Sequence, residues 1–396
     1  MNFKESLERM KKGAASPEET REVEAEIEKY EAIGDYLAER FDALLPAPQG
    51  EGDPAAVKRL SRRVGWRMFR NSLLALLLAA ALTALGVAGC NLYYYNPNRG
   101  IQPVYSGDGQ LMIDLSAFAE LHFPGYTVNW AEARRDGPGS YQIQLQMGNL
   151  FAGSSQTTTE RIVRNRALGS GSAVRDYWKF PVANAFGYRA GTLSWVDENG
   201  GEHHSSDPGE LERQRAALEE LPASCQAEAY VTFSKDLTLE EFSQLYGQYG
   251  REQPDLYFAY AAVTSADRYM RSTLGFRPSF SGMILENLPE EQYPLLGLGN
   301  HEEELEQDRV KAWETHFRSL LGYMADRPEF IRAMFEVNSI SENYYRETLS
   351  YIDENGVNIY GALIQGSRDD ILRFLEEESL RDFYVSDVRL SVLERR

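Results

Sequence analysis

Five histidines, two cysteines and sixty carboxylates hold most of the reactive chemistry of this chain, and their spacing limits what they can do. The histidines are His122, His203, His204, His301 and His316. His203 and His204 are neighbours in a Gly-, Ser- and Asp-rich loop, so they cannot adopt the i, i+4 geometry of a helical metal site. His301 precedes "EEELEQD", which reads as a helix start with a solvated acidic face. There is no Gly-x-Ser-x-Gly elbow, no phosphate-cradling Gly-x-x-x-x-Gly-Lys and no cysteine cluster. Asp197-Glu198-Asn199-Gly200 and Asp353-Glu354-Asn355-Gly356 read as turns, with Asn-Gly supplying a positive φ. With so many acids, no pair stands out for acid–base work. The residues point to no catalytic site, no metal and no cofactor.

Cys90 and Cys225 do not make a disulfide framework, so the fold must rest on an ordinary packed core. The formal net charge is −19, and its distribution is uneven. Residues 1–57 hold seven basic and fourteen acidic residues, and six cations follow between Lys58 and Arg70. Residues 92–396 hold 28 basic and 46 acidic residues, which argues against nucleic acid or an anionic polymer as their ligand.

From Asn71 to Asn98 the chain has no charged side chain. Ser72 to Cys90 is rich in Leu and Ala on all sides, and as a helix it would reach roughly 28 Å, enough to cross a hydrocarbon core. We therefore expect a transmembrane helix over residues 72–91, preceded by a basic juxtamembrane segment, 58–71. Arg62, Arg63, Arg67 and Arg70 lie before the span and Arg99 alone lies after it, which places the N-terminus in the cytosol and the C-terminal bulk outside. Trp66 on one side and Tyr93, Tyr94 and Tyr95 on the other are expected at the two membrane interfaces. Val87-Ala88-Gly89-Cys90 also matches the pattern before a lipid-modified cysteine, but such signals start near residue 1.

Residues 1–57 read as two amphipathic helices and a linker. Phe3, Leu7 and Met10 recur at helical spacing in the first. The second opens at Ser16-Pro17-Glu18-Glu19, a capping box with proline at the first helical position, and stops before Pro46. Its apolar ladder is Val23, Ile27, Tyr30, Leu37, Phe41 and Leu44, interrupted at Gly34 and widened by Ile33 and Tyr36. Helices this short bury little, so the stripes close on each other, on a second copy, or on a cytosolic partner. The acids beside them are a solvated face or a match for a basic protein.

After the span, Ala117 to Trp130, Ser140 to Leu150 and Thr157 to Arg166 read as strands of a membrane-proximal, β-rich module over residues 92–222. Asp207 to Leu221 reads as a polar helix. Residues 223–396 then show a strand–helix–strand pattern twice: "AEAYVTF", a helix capped by Thr238 and Glu241, and "LYFAYAAV"; later "NIYGALIQG", a helix starting at Ser367, and "FYVSDVRL". Between them lie helices through Trp313, Phe317 and Met324, and around Phe330 to Val337. The expected class is α+β: a helical cytosolic segment, one transmembrane helix, the β-rich module, and a ferredoxin-like exterior domain of two βαβ units with a helical insert.

The order of these pieces resembles the transmembrane anti-sigma factors of Gram-positive bacteria that carry sigma-regulator N- and C-terminal domains. The residues that carry the resemblance are "SPEETREVEAEIEKYEAIGDYL", the single span, "FAELHFPGY", "AEAYVTFSKDLTLEEF", "GFRPSFSGM", "YIDENGVNIYGALIQGS" and "FYVSDVRL". The resemblance implies that the cytosolic segment sequesters an extracytoplasmic-function sigma factor while the exterior domains respond to the state of the envelope, and it leaves room for an accessory membrane protein as a further partner. Residues 1–57 contain neither His nor Cys, so the zinc-binding variety of anti-sigma factor does not apply. The alternative is a membrane-anchored exterior binding or cell-wall-associated protein with no transcriptional partner.

Overall fold

A computed structural model describes residues 16–44, 54–98, 109–168, 186, 194–196, 202–204, 210–252, 256–265, 273–279, 288–334 and 342–390. The chain divides into two compact units, Met1–Leu82 and Thr83–Arg396.

In the first unit, α1 runs Pro17–Leu44 and continues without a break through Gly34. The Thr20 N–H and hydroxyl both donate to the Ser16 carbonyl, so the first turn forms where the Ser-Pro-Glu-Glu signal places it. Helix α2 spans Pro54–Tyr93. Within it, Ser61–Tyr93 is long and apolar enough to cross a membrane, and none of its most apolar stretch is buried inside the protein.

The second unit is mixed helix and sheet. Helix α3, Gln110–His122, precedes a four-stranded antiparallel meander of β1 (Tyr126–Gly137), β2 (Ser140–Asn149), β3 (Ser155–Val163) and β4 (Ala167–Leu168). Tyr141, Ile143, Leu145 and Met147 alternate inward along β2, while Gln142 and Gln144 face solvent. A short ribbon of β5 (Ser194–Val196) and β6 (Glu202–His204) pairs Trp195 with His203.

Helix α4 (Glu210–Glu219) leads into a five-stranded sheet. Its strands are β7 (Cys225–Thr238), β8 (Tyr257–Val263), β9 (Gly275–Phe276), β10 (Asn358–Ser367) and β11 (Leu380–Leu390). The order is β11-β7-β10-β8-β9, and every neighbouring pair is antiparallel. Helix α5 (Leu239–Glu252) joins β7 to β8, and α10 (Arg368–Glu377) joins β10 to β11. The helices between β9 and β10 are α6 (Glu302–Gln307), α7 (Arg309–Ala325), α8 (Pro328–Met334) and α9 (Glu342–Asn355).

Both capping signals close as their residue types dictate. The Glu241 N–H donates to Thr238 Oγ1 at 3.2 Å while the Thr238 N–H donates to Glu241 Oε2 at 3.0 Å. The Asp370 N–H donates to Ser367 Oγ at 3.2 Å. Replacing Thr238 with alanine is expected to cost about 1 kcal/mol, read as a shift of the urea midpoint at unchanged slope.

Three expectations need correction. Ala117 to His122 is not the start of a strand but the end of α3, and every residue from Leu111 to His122 is buried. Asn355-Gly356 is not a free turn. It ends α9, with Gly356 at φ 75° and its N–H on the Ile352 carbonyl. Nor does the core divide at residue 222: Leu115, Phe118, Ile143 and Ile162 share one apolar cluster with Val231, Phe258, Trp313 and Phe374. The inner face of the meander cannot bury itself, so α3 fills the space between it and the later helices. Phe186, Tyr230, Tyr260, Tyr360 and Leu363 form a smaller second cluster, which is why β8 and β10 read as almost unbroken apolar runs.

Candidate functional site

The expected partner surface lies on α1. Ile27, Tyr30, Ile33, Tyr36 and Leu37 are exposed, at 37%, 63%, 53%, 59% and 48%. Glu18, Glu22, Glu24, Glu28 and Glu31 are exposed too, and Glu26 pairs with Lys29 at 3.0 Å. This places greasy and acidic groups on one accessible helix. Val23 departs from the expectation: it is only 1% exposed, so its contacts are already made within the chain. Phe41 and Leu44 belong to α1 by backbone, and Phe3, Leu7 and Met10 lie outside the described residues.

Of the expected interface residues, Arg62, Arg63, Trp66, Arg67 and Arg70 are exposed on α2, and Tyr93 is exposed at its end. Tyr94 and Tyr95 are different. Gly139, at φ 64° in the β1–β2 turn, lies against the Tyr94 ring: a Cβ there would come within 2.8 Å of Cδ2. Tyr95 is buried, and so is not an anchor among lipid headgroups. Its ring packs edge-on against Phe330, and its hydroxyl donates to Asp114 Oδ2 at 2.7 Å. A phenol that has a buried carboxylate to bond has no need of the membrane interface.

The chain leaving the span is fastened residue by residue. Arg135 Nη2 donates to Asn91 Oδ1 at 3.0 Å, and the Tyr95 N–H donates to Asn165 Oδ1 at 2.7 Å. The Tyr141 hydroxyl donates to Asn96 Oδ1 at 3.0 Å, Asn98 Nδ2 to the Ala133 carbonyl at 3.1 Å, and the Leu111 N–H to the Pro97 carbonyl at 3.1 Å. Asn165 sits at φ 63°, a conformation asparagine tolerates better than most residues, and this turn points its amide at Tyr95.

Helix α3 gathers buried charge at both ends. Asp114 also accepts from Tyr323 Oη at 2.6 Å, Arg327 Nε at 2.8 Å and Gln110 Nε2 at 3.0 Å. Burial pushes its carboxyl above the usual range, against the pull of Arg327 and the two phenols. Burial works against the Arg327 charge, but Asp114 outweighs it and holds the guanidinium protonated. Two turns on, Glu120 accepts from His316 Nε2 at 2.9 Å, while His316 Nδ1 faces the Leu295 carbonyl at 2.7 Å. Burial opposes the Glu120 charge, yet His316 and Arg277 prevail and lower its pKa. Arg277 crosses to the meander, donating through Nη2 to the Tyr126 carbonyl at 2.7 Å.

His122 ends the helix, with Nδ1 2.8 Å from the Thr273 carbonyl and Nε2 2.8 Å from the Tyr345 hydroxyl. Burial lowers its pKa from 6.5 to about 4, so the folded protein keeps it neutral. A depressed folded pKa means that stability is complete above pH 6.5 and is lost as pH falls toward 4. The expected loss from this group between pH 7 and 5 is about 2 kcal/mol, visible in urea melts and reduced in His122→Gln.

None of these buried groups was singled out from the sequence. The available signal was an acid, an acid and a histidine at 114, 120 and 122 inside the apolar run "LMIDLSAFAELHF". Among the described residues, no group of three or more His, Cys, Asp or Glu is placed to hold a metal ion.

Comparison with known proteins bears directly on these features. Residues 218–387, from the end of α4 into β11, match the family described as sigma factor regulator C-terminal. Over 98% of both chains, the sequence is 20% identical to a probable anti-sigma-M factor, YhdL, of Bacillus subtilis (strain 168). No solved structure matches. The match to residues 218–387 and the full-length alignment agree with the resemblance carried by the sequence motifs. They support a membrane protein with a sigma-regulating, non-enzymatic role of the anti-sigma kind, with the sigma factor regulator match lying C-terminal to the membrane helix.

Proposed function

We propose that this chain is a single-pass membrane anti-sigma factor of the Gram-positive, zinc-free type. Its N-terminus lies in the cytosol, where α1 sequesters an extracytoplasmic-function sigma factor. Its exterior unit adjusts that grip according to the state of the cell envelope. The observation that carries the reading is the exposed apolar stripe of Ile27, Tyr30, Ile33 and Leu37 beside exposed acids. A soluble helix seldom leaves such a stripe open unless something covers it. Proteins that bind DNA are basic, and the acids on α1 suit such a partner. Phe3, Leu7, Met10, Phe41 and Leu44 extend the same contact.

The cations between Lys58 and Arg70 support the cytosolic placement of the N-terminus. The relative from Bacillus subtilis is named for a sigma factor called M, which supports a partner of that general kind. The strand order β11-β7-β10-β8, with α5 and α10 as its two crossovers, supports a ferredoxin-like arrangement for the sheet.

The test is direct. Each purified extracytoplasmic-function sigma factor of the host is titrated against the full chain held in lipid nanodiscs. Saturable binding to one of them, weakening as salt is raised, is the expected result. Absence of binding to any sigma subunit overturns the reading.

A further inference from the structure

The polar groups buried around α3 face away from solvent and take no part in gripping a cytosolic protein. They do, however, meet the end of the membrane helix. Six hydrogen bonds fasten residues 91–98 to the rest of the second unit, and five of them run to the meander, its turns or the first turn of α3. Bonds of that kind exchange readily with water where they are exposed. The sixth, from the Tyr95 hydroxyl to Asp114, does not. Asp114 is fully buried, and the same carboxylate holds Tyr323 and Arg327 at the far end of α7.

We propose that Asp114 is the pin of a joint through which the span's outer end and the exterior unit move as one body. Opening this joint is the step by which the exterior unit loosens the cytosolic grip; that regulatory half rests on the anti-sigma reading. The joint so proposed has two states, of which the structure holds the closed one. Either Tyr95 shares the Asp114 carboxylate with α7, or it gives up that bond. A shift of α7 acts on the acceptor of Tyr95 directly, because Tyr323, Arg327 and Tyr95 draw on the same two oxygens. Meanwhile the Glu120–His316 pair ties the other end of α3 to α7, so the two helices respond together. A flexible tether after the span would pass on no change of orientation, whereas a bistable packed contact does.

The test uses the full chain in nanodiscs with Cys90 and Cys225 changed to serine. Spin labels are placed at Leu85→Cys in the span and Glu303→Cys on α6, both exposed positions. Electron–electron resonance then reads the distance distribution between them. A single narrow distribution is expected, broadening about twofold in Tyr95→Phe and in Asp114→Asn as the open state gains population. In cells the same variants are expected to change sigma-dependent transcription by about fivefold, the low end of ordinary coupling between sites. A wild-type distribution as broad as the variants', or a Tyr95→Phe distribution as narrow as wild type, overturns the joint. Should Asp114→Asn lose its near-UV circular dichroism, Tyr95→Phe decides alone, since its ring still fills the pocket. Broadening without any transcriptional change overturns the regulatory half. Failure of the sigma titration would instead strike the anti-sigma reading and leave the distances standing.

Discussion

Changing Ile27 and Leu37 together to aspartate is expected to weaken sigma-factor binding by about 100-fold or more, since each large apolar side chain buried in a contact contributes about 1.5–3 kcal/mol. The two positions are ten residues apart, roughly 15 Å along α1, so their losses should add. Both are already exposed, so the helix itself loses little. That choice avoids Val23, which is buried, and whose replacement would damage the chain's own packing rather than the partner contact. Nanodisc titration of the double variant measures the affinity, and constitutive sigma-dependent transcription in cells is the matching phenotype. Binding within a few-fold of wild type would show that the stripe is not the grip.

Replacing Asp114 with alanine is expected to destabilise the second unit by about 3–5 kcal/mol, because it strands a partly buried guanidinium and two buried phenols at once. The Arg327 side chain is 27% exposed, and Tyr95 and Tyr323 are almost wholly enclosed. For a unit this large, about 2 °C per kcal/mol places the drop in unfolding midpoint at roughly 6–10 °C. Asparagine should cost distinctly less, since its amide oxygen can still accept from Tyr323 and Arg327. Calorimetry of the detergent-solubilised chain separates the two. Equal stability of the alanine variant and wild type would mean that the carboxylate's four donors find other partners.

Much of this architecture was legible in residue order. Ser16-Pro17 marked the start of α1, the Leu- and Ala-rich run marked the span, and Thr238/Glu241 and Ser367/Asp370 marked two helix starts to the residue. These are local signals, and in the last two a side chain satisfies a backbone N–H three residues away. What the sequence hid is non-local. The run at 111–122 has no polar face because α3 is enclosed on all sides, so it shows no helical periodicity and its end reads as a strand. Tyr95 reads like its neighbours Tyr93 and Tyr94, and only the fold brings it to Asp114, 19 residues on. The partners of Glu120 and Asp114 on α7 lie about 200 residues away, beyond the reach of any spacing rule.

The shared core has a practical meaning for anyone exchanging C-terminal modules between relatives. The stretch that carries the family signature starts at residue 218, whereas α3, which fills its interior, is encoded a hundred residues earlier. Severed at that point, His316 would face an empty trough instead of Glu120, and Trp313 and Phe317 would border solvent. Grafts and truncations should therefore respect the three-dimensional seam and carry the residues just beyond the membrane with the C-terminal part.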